Sequence, residues 1–220
     1  MDLIIDTSSE KLQVILNDGL SLTTSQNTNS KHLQHLLPEI DSILKQKNCL
    51  LKDVKTFAVV LGPGSFTGVR IGVSTIKAFS NVMPKTNIIG INMLELLSSV
   101  ICKSIKPSLD FAIVIKSTAT KFYFAISSKE GILKEQKLLT IEELERFVSQ
   151  NEISVFAYNL SEISSKFICT NVGLTAQDYF NFVENKKNKK EFISENNLKP
   201  IYLALSQAEE ELLKRQNKND

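Results

Sequence analysis

The sequence predicts an α/β protein of two lobes, and three observations carry that reading. Apolar runs of strand length recur at residues 56–61, 87–91 and 111–115, the pattern of strands covered on both faces. Segments with apolar residues at helical spacing stand between them. The order strand–strand–strand–helix–strand–helix begins twice, strongly in residues 1–91 and weakly in 111–157, so the second lobe reads as a degraded copy of the first.

In chain order, Leu3-Ile4-Ile5 is the first strand. Leu12, Val14 and Leu16 alternate along a second, Asn17-Asp18-Gly19 makes a tight hairpin turn, and Leu20, Leu22 and Thr24 return the chain. Asn29 or Ser30 then caps a helix over 30–47, with Leu33, Leu36, Leu37, Ile40, Ile43 and Leu44 on one stripe. Pro38 lies inside it and predicts a kink near 34–38. The strand at 56–61 ends in Gly62-Pro63-Gly64-Ser65-Phe66-Thr67-Gly68, followed by a helix over about 69–83. A strand at 87–91 and a helix over 93–102 complete the first half, and Lys106-Pro107-Ser108 marks a seam. Strands follow at 111–115 and 122–126, with a weaker one at 132–138. Thr140 with Glu143 is a capping box for a helix through Val148. A short strand at 153–157, a helix over 175–183 and a solvated lysine-rich loop over 184–190 come next. Ser206 with Glu209 caps a short C-terminal helix, aided by the pairs Glu210/Lys214 and Glu211/Arg215.

Composition narrows the function. In 220 residues, 26 Lys+Arg against 24 Asp+Glu give a formal charge of +2. That balance speaks against a free-standing nucleic-acid binder, which concentrates basic charge. No apolar run approaches the ~18–20 residues of a membrane span, and Asp2 stands where a secretory signal carries Lys or Arg. The widely spaced Cys49, Cys102 and Cys169 fit reduced thiols of the cytoplasm.

Three segments could carry chemistry. Gly62 to Gly72 joins a strand to a helix N-terminus, a natural anion site. It is nevertheless neither a P-loop nor a dinucleotide fingerprint: the required second or third glycine falls on Thr67 or Val69, and no Lys follows. Instead Gly68 and Gly72 leave a side-chain-poor groove, with Val69, Val73 and Ile76 beside it, where another helix could pack. Asp6-Thr7-Ser8-Ser9 could hold hydrated magnesium and phosphate, or form an Asx-type turn. His32 and His35, the chain's two histidines, could share a helix face and a metal, or serve structure or an interface. Lys186, Lys187, Lys189 and Lys190 supply too few phosphate contacts for tight RNA binding alone. No H-E-x-x-H run and no Ser-His-Asp set with a nucleophile elbow supports a peptidase.

Ile4-Ile5-Asp6-Thr7-Ser8, Lys31-His32-Leu33-Gln34-His35-Leu36-Leu37-Pro38 and the eleven residues from Gly62 to Gly72 resemble the bacterial TsaB family. Pro200-Ile201-Tyr202-Leu203 resembles that family's short C-terminal signature. The resemblance is good over residues 2–100 and weak beyond. It implies an actin-like ATPase (ribonuclease H-like) fold with mixed sheets and a degenerate second lobe. The expected division is 1–105, 106–199 and a C-terminal segment 200–220 that packs back on the first lobe.

The resemblance also implies a dimerisation subunit with no catalytic residues and no metal of its own. It would serve a complex that places threonylcarbamoyl on N6 of the adenosine next to the tRNA anticodon. The implied partners are a larger catalytic paralogue and a small P-loop ATPase, with tRNA reached through the complex, ATP or ADP only at a subunit junction, and a homodimer when alone. Carried onto this chain, the interface comprises His32, His35, Leu36, Pro38, Glu39, Ser65, Phe66, Gly68, Val69, Arg70, Gly72, Val73 and Ile76, while Asp6, Thr7 and Ser8 form a vestigial phosphate loop. Lys116 departs from the family, which shows an Asp-Ala-Arg run there, and Ala204 stands where relatives carry Arg. The alternative is an ATPase or small-molecule kinase of the same fold that uses Asp6.

Overall fold

The structure, a computed structural model, describes residues 1–27, 31–160, 163, 165 and 167–203. The expected caps Asn29 and Ser30, Ala204 and the helix capped by Ser206 and Glu209 lie outside the described residues.

The first sheet begins with a meander: β1 (Asp2–Asp6), β2 (Leu12–Asn17) and β3 (Leu22–Asn27), each antiparallel to the last. The β2–β3 connection is a four-residue loop, 18–21, longer than the tight turn expected from Asn17-Asp18-Gly19. The Asp18 carboxylate accepts the amides of Leu20 and Ser21, both at 2.8 Å, and Gly19 takes a φ of +88°. These two amides, with Lys47, hold the Asp18 carboxyl well below the usual range. The chain then passes through α1 (His32–Gln46), β4 (Thr56–Gly62), α2 (Phe66–Val82), β5 (Asn87–Asn92) and α3 (Met93–Ser104). β4 and β5 add in parallel, so the sheet runs β3-β2-β1-β4-β5. Helix α1 continues unbroken through Pro38. Helix α2 starts three residues before the expected Val69, because the Ser65 hydroxyl accepts the Gly68 amide as its N-cap.

The second sheet repeats the plan. β6 (Phe111–Lys116), β7 (Lys121–Ser127) and β8 (Leu133–Thr140) form the meander, followed by α4 (Ile141–Asn151), β9 (Ser154–Tyr158), β10 (Thr170–Val172) and α5 (Ala176–Asn188). Its order, β8-β7-β6-β9-β10, is that of the first sheet, with the last two strands again parallel. The chain is thus a two-lobed α/β protein of the actin-like ATPase (ribonuclease H-like) type. The second copy is the reduced one: eleven residues, 159–169, join β9 to β10, where twenty-four, 63–86, join β4 to β5 and carry α2. Strand β10 itself was not legible in the sequence.

Three apolar clusters stack these elements in layers. Leu3, Ile5, Phe57 and Val59 point to one face of the first sheet, where Leu36, Ile40 and Ile43 of α1 and Val69, Val73 and Ile76 of α2 cover them. Ile4, Ala58 and Val60 point to the other face, toward α3, α5 and the inner face of the second sheet. Ala112, Val114 and Phe124 face outward onto Leu144 of α4. The period-2 alternation of β1 thereby divides its side chains between two cores. The capping boxes Thr140/Glu143 and Thr175/Asp178 start α4 and α5.

The expected loop at 184–190 is a correction: α5 continues to Asn188. Its lysines are held by carboxylates near and far in sequence, Lys187 by Asp2 at 3.0 Å and by Glu184 of the same helix, Lys186 by Glu95 of α3 at 3.2 Å and by Glu191 at 2.6 Å. Although it lies within 106–199, α5 packs on α3, β5 and β3. After it the chain runs along the first lobe, where Ile193 donates its amide to Ile88 O and Ile201 to Leu61 O. No helix among the described residues is long and apolar enough to cross a membrane.

Candidate docking site

Two features meet at the C-terminal ends of β1 and β4. The first is the turn after β1. Asp6 is buried, and its Oδ1 accepts the Ser8 amide at 2.8 Å and the Ser8 hydroxyl at 2.6 Å, the geometry of an Asx turn. Its Oδ2 accepts the hydroxyl of Tyr179 from α5. Burial, and then the nearby Asp6 charge, push the Tyr158 hydroxyl up to about 12 and Tyr179 well above its ordinary value. Both oxygens of Asp6 are therefore engaged by groups of the chain itself.

The second feature is the packing of α2 onto that turn. A Cβ at Gly68 would stand 2.0 Å from the Thr7 carbonyl oxygen, and one at Gly72 would stand 2.5 Å from Thr7 Oγ1. Ser65 donates its amide to Ser8 O at 2.6 Å. The absence of side chains at Gly68 and Gly72 lets Thr7 and Ser8 pass directly under the helix.

The residues of the expected interface divide between the core and the surface. Gly68 and Gly72 are floored by the chain's own Thr7, and Val69, Val73 and Ile76 are buried in the core under α2. Leu36 is likewise core, and His32 is buried with Nε2 against Ser9 O at 2.6 Å. A helix of another molecule cannot pack against side chains that already face inward. Of the remaining predicted positions, Ser65, Phe66, Arg70 and Pro38 are exposed, while His35 and Glu39 are half-buried, Glu39 accepting the Ser25 hydroxyl. Among the described residues no group of three or more His, Cys, Asp and Glu side chains could hold a metal.

The open face lies one residue around from the glycine stripe. Between α1 and α2 runs a groove of about 580 Å³ walled by Leu33, Leu37, Phe66, Arg70, Ile71 and Phe79. Leu33 and Leu37 are 76% and 56% exposed, although the sequence placed them on the same stripe as the buried Leu36 and Ile40. Fully burying such a side chain is worth roughly 1.5–3 kcal/mol, and here two leucines stand in water beside further apolar walls. Phe66 stacks on Tyr202 with ring centroids 4.9 Å apart, and the Arg70 guanidinium lies 5.2 Å over the Phe66 ring. Among the described residues no carboxylate pairs with Arg70. Ile71 and Phe79 escaped the sequence reading; the signal available was the offset of apolar positions from the glycine spacing. Tyr158 and Tyr179 gave no local signal.

The equivalent corner of the second lobe differs. Lys116 ends β6 where Asp6 ends β1, and it is exposed. The following turn closes on itself, with the amides of Ser117 and Thr118 donated to Lys121 O.

The comparisons with known proteins agree with this architecture. The family model described as TsaD, tRNA N6-adenosine threonylcarbamoyltransferase, matches residues 22–140. The Escherichia coli tRNA threonylcarbamoyladenosine biosynthesis protein TsaB is 42% identical over 72 residues, which cover 32% of this chain and 31% of that protein. The protein of the same description from Buchnera aphidicola of Acyrthosiphon pisum is 28% identical over 195 residues, 81% of this chain and 86% of that one. A crystal structure from Pseudomonas aeruginosa, described as an uncharacterized protein with similarity to peptidase YEAZ, superposes with a TM-score of 0.74 at 19% identity. It covers 92% of this chain and 99% of that one, and shows the shared fold.

Proposed function

This chain belongs to the tRNA N6-adenosine threonylcarbamoyltransferase family, on its TsaB branch, and from that premise we propose that it is a subunit that acts by docking and carries no reaction centre of its own. Its role is in tRNA threonylcarbamoyladenosine biosynthesis, and its partner is a protein of the same fold that carries the transferase chemistry. The groove between α1 and α2 is the seat for that partner.

The observation that carries the reading is the division of each helix. Leu36, Ile40, Val69, Val73 and Ile76 face inward and fix α1 and α2 to the sheet, while Leu33, Leu37, Phe66 and Ile71 stand along the open groove. Two helices presenting parallel ridges suit a helix pair of a related lobe, which would complete a four-helix contact. The Asp6 carboxylate supports the same reading from the other side. A kinase or ATPase centre built on Asp6 needs a carboxylate open to hydrated magnesium, and here Asp6 is buried with both oxygens hydrogen-bonded by Ser8 and Tyr179.

The experiment is reconstitution. The purified chain is expected to leave tRNA unmodified and ATP unhydrolysed alone, and to restore N6-threonylcarbamoylation when the TsaD-like subunit and the small ATPase of the same cell are supplied. Magnesium-dependent ATP turnover by the isolated chain, lost in Asp6→Asn, would replace this reading with that of an enzyme in its own right.

A further inference from the structure

We infer that the Asp6-Thr7-Ser8 turn is a strap that sets the position of the docking helix α2 from the second lobe, with Tyr179 as the positioning residue that anchors it; the inference rests on the docking role proposed for the α1–α2 groove.

The strap is held at both ends by groups with no side chain in the groove. On the inner side the Tyr179 hydroxyl donates to Asp6 Oδ2, and Tyr179 is fully buried in the layer between the two sheets. Tyr158 of β9 is half-buried near the same carboxylate and hydroxyl, and its own hydroxyl is pushed up by that burial and by the Asp6 charge. On the outer side Ser8 O accepts the Ser65 amide at 2.6 Å, which fixes the N-cap of α2. Between these ends Thr7 O and Thr7 Oγ1 lie against Gly68 and Gly72, so the strap touches the first two turns of α2 with no side chain to cushion a shift. A second contact crosses at the same place: the Tyr123 hydroxyl of β7 donates to Gly64 O at 3.2 Å, one residue before the N-cap. Phe66 and Arg70, which close the mouth of the groove, sit on those two turns.

A displacement of Asp6 relative to α5 is therefore passed to Phe66 and Arg70 through Thr7 and Ser8, which bear directly on α2. Closely packed elements transmit such shifts, because an interior at crystal-like density leaves no slack. A carboxylate at the end of the first strand, combined with hydroxyls, is the arrangement that would grip a hydrated cation; here the second lobe's tyrosine occupies that place, and the gripping function is turned to geometry.

The test uses the full chain and removes one hydroxyl. Tyr179→Phe keeps the buried ring and leaves Asp6 Oδ2 without its donor. Ser98→Ala is the control, since Ser98 is equally buried and its hydroxyl bonds Ser127 at 2.5 Å, away from the strap. In Tyr179→Phe the backbone amide resonances of Ser65, Phe66 and Arg70 are expected to shift, and affinity for the TsaD-like partner to fall about three- to tenfold, within the modulation exerted by residues between linked sites. Ser98→Ala is expected to lower the melting temperature with both readouts unchanged. Unshifted amides at 65–70 in Tyr179→Phe would overturn the strap, and so would an equal loss of affinity in Ser98→Ala. If wild-type protein binds no such partner, the docking role fails while the amide shifts still decide the strap.

Discussion

The two lobes share one strand order and differ at one corner. In the first, twenty-four residues between β4 and β5 carry α2, and the turn after β1 is drawn under that helix. In the second, eleven residues span β9 to β10, and the turn after β6 follows an exposed Lys116 and closes on Lys121 O. The sheets themselves are equally well filled: Phe57 in one and Phe124 in the other are fully buried and each meets a second aromatic ring, Phe79 and Phe147. The difference teaches that the shared strand order does not require a long crossover between its last two strands. The α1–α2 pair was kept whole, and with it an apolar surface that the lobe does not need for its own core.

That comparison can be broken at several points. The largest effect belongs to Gly68→Leu. Its first side-chain carbon would sit 2.0 Å from the Thr7 carbonyl, a backbone clash that no rotamer relieves, so the loss is on the order of 4 kcal/mol or more and soluble folded protein should be scarce. A normally folded Gly68→Leu chain would return the glycine stripe to the surface role first expected of it. Next comes Phe124→Ala, which empties the outer core of the second lobe at a cost of about 3–4 kcal/mol. Chemical denaturation should register it as one transition, since the central cluster joins both sheets; two transitions would show that the lobes fold apart.

Alkaline titration tests the corner where the lobes meet. The Tyr158 hydroxyl is pushed up to about 12 from an unfolded value near 10, chiefly by burial and then by the Asp6 charge. A raised folded-state value means the folded chain holds its proton more tightly. Stability should therefore stay level below about pH 10 and fall as pH rises toward 12. Tyr158→Phe should flatten part of that slope, leaving the share of Tyr179. An unchanged slope would place the tyrosine hydroxyls in contact with water. The smallest effect is Thr175→Ala, which removes the cap of α5. It should cost about 1 kcal/mol, seen as a modest fall in melting temperature with the groove unaltered.

Much of this was legible in the sequence, for definable reasons. Strands buried on both faces, such as 56–61 and 111–115, announce themselves by continuous apolar runs, and the Thr140/Glu143 capping box marks the start of α4. The three-residue β10 is too short to carry a pattern. The lysines of 184–190 read as a loop because their partners, Asp2 and Glu95, are distant in sequence. Of the expected interface residues on the two helices, the structure buries those beside the glycine stripe and leaves a neighbouring apolar face open. Glycines at 68 and 72 mark close approach of a backbone, but sequence cannot say whose, and here it is Thr7 of the same chain. Exposed Leu33 and buried Leu36 are three apart on one apolar stripe; only the packed sheet decides which edge of the stripe it covers.

The central claim is that the α1–α2 groove is a seat for a related subunit, and calorimetric titration of the TsaD-like partner tests it most directly with wild type and Ile71→Asp. Ile71 lines the groove and is half-buried against the core, so a carboxylate there should cost about 1–3 kcal/mol and leave the chain folded. Partner affinity should fall by roughly a hundredfold or more, as expected for a charge set into an apolar contact. Equal binding by the two proteins, with both folded, would contradict the account.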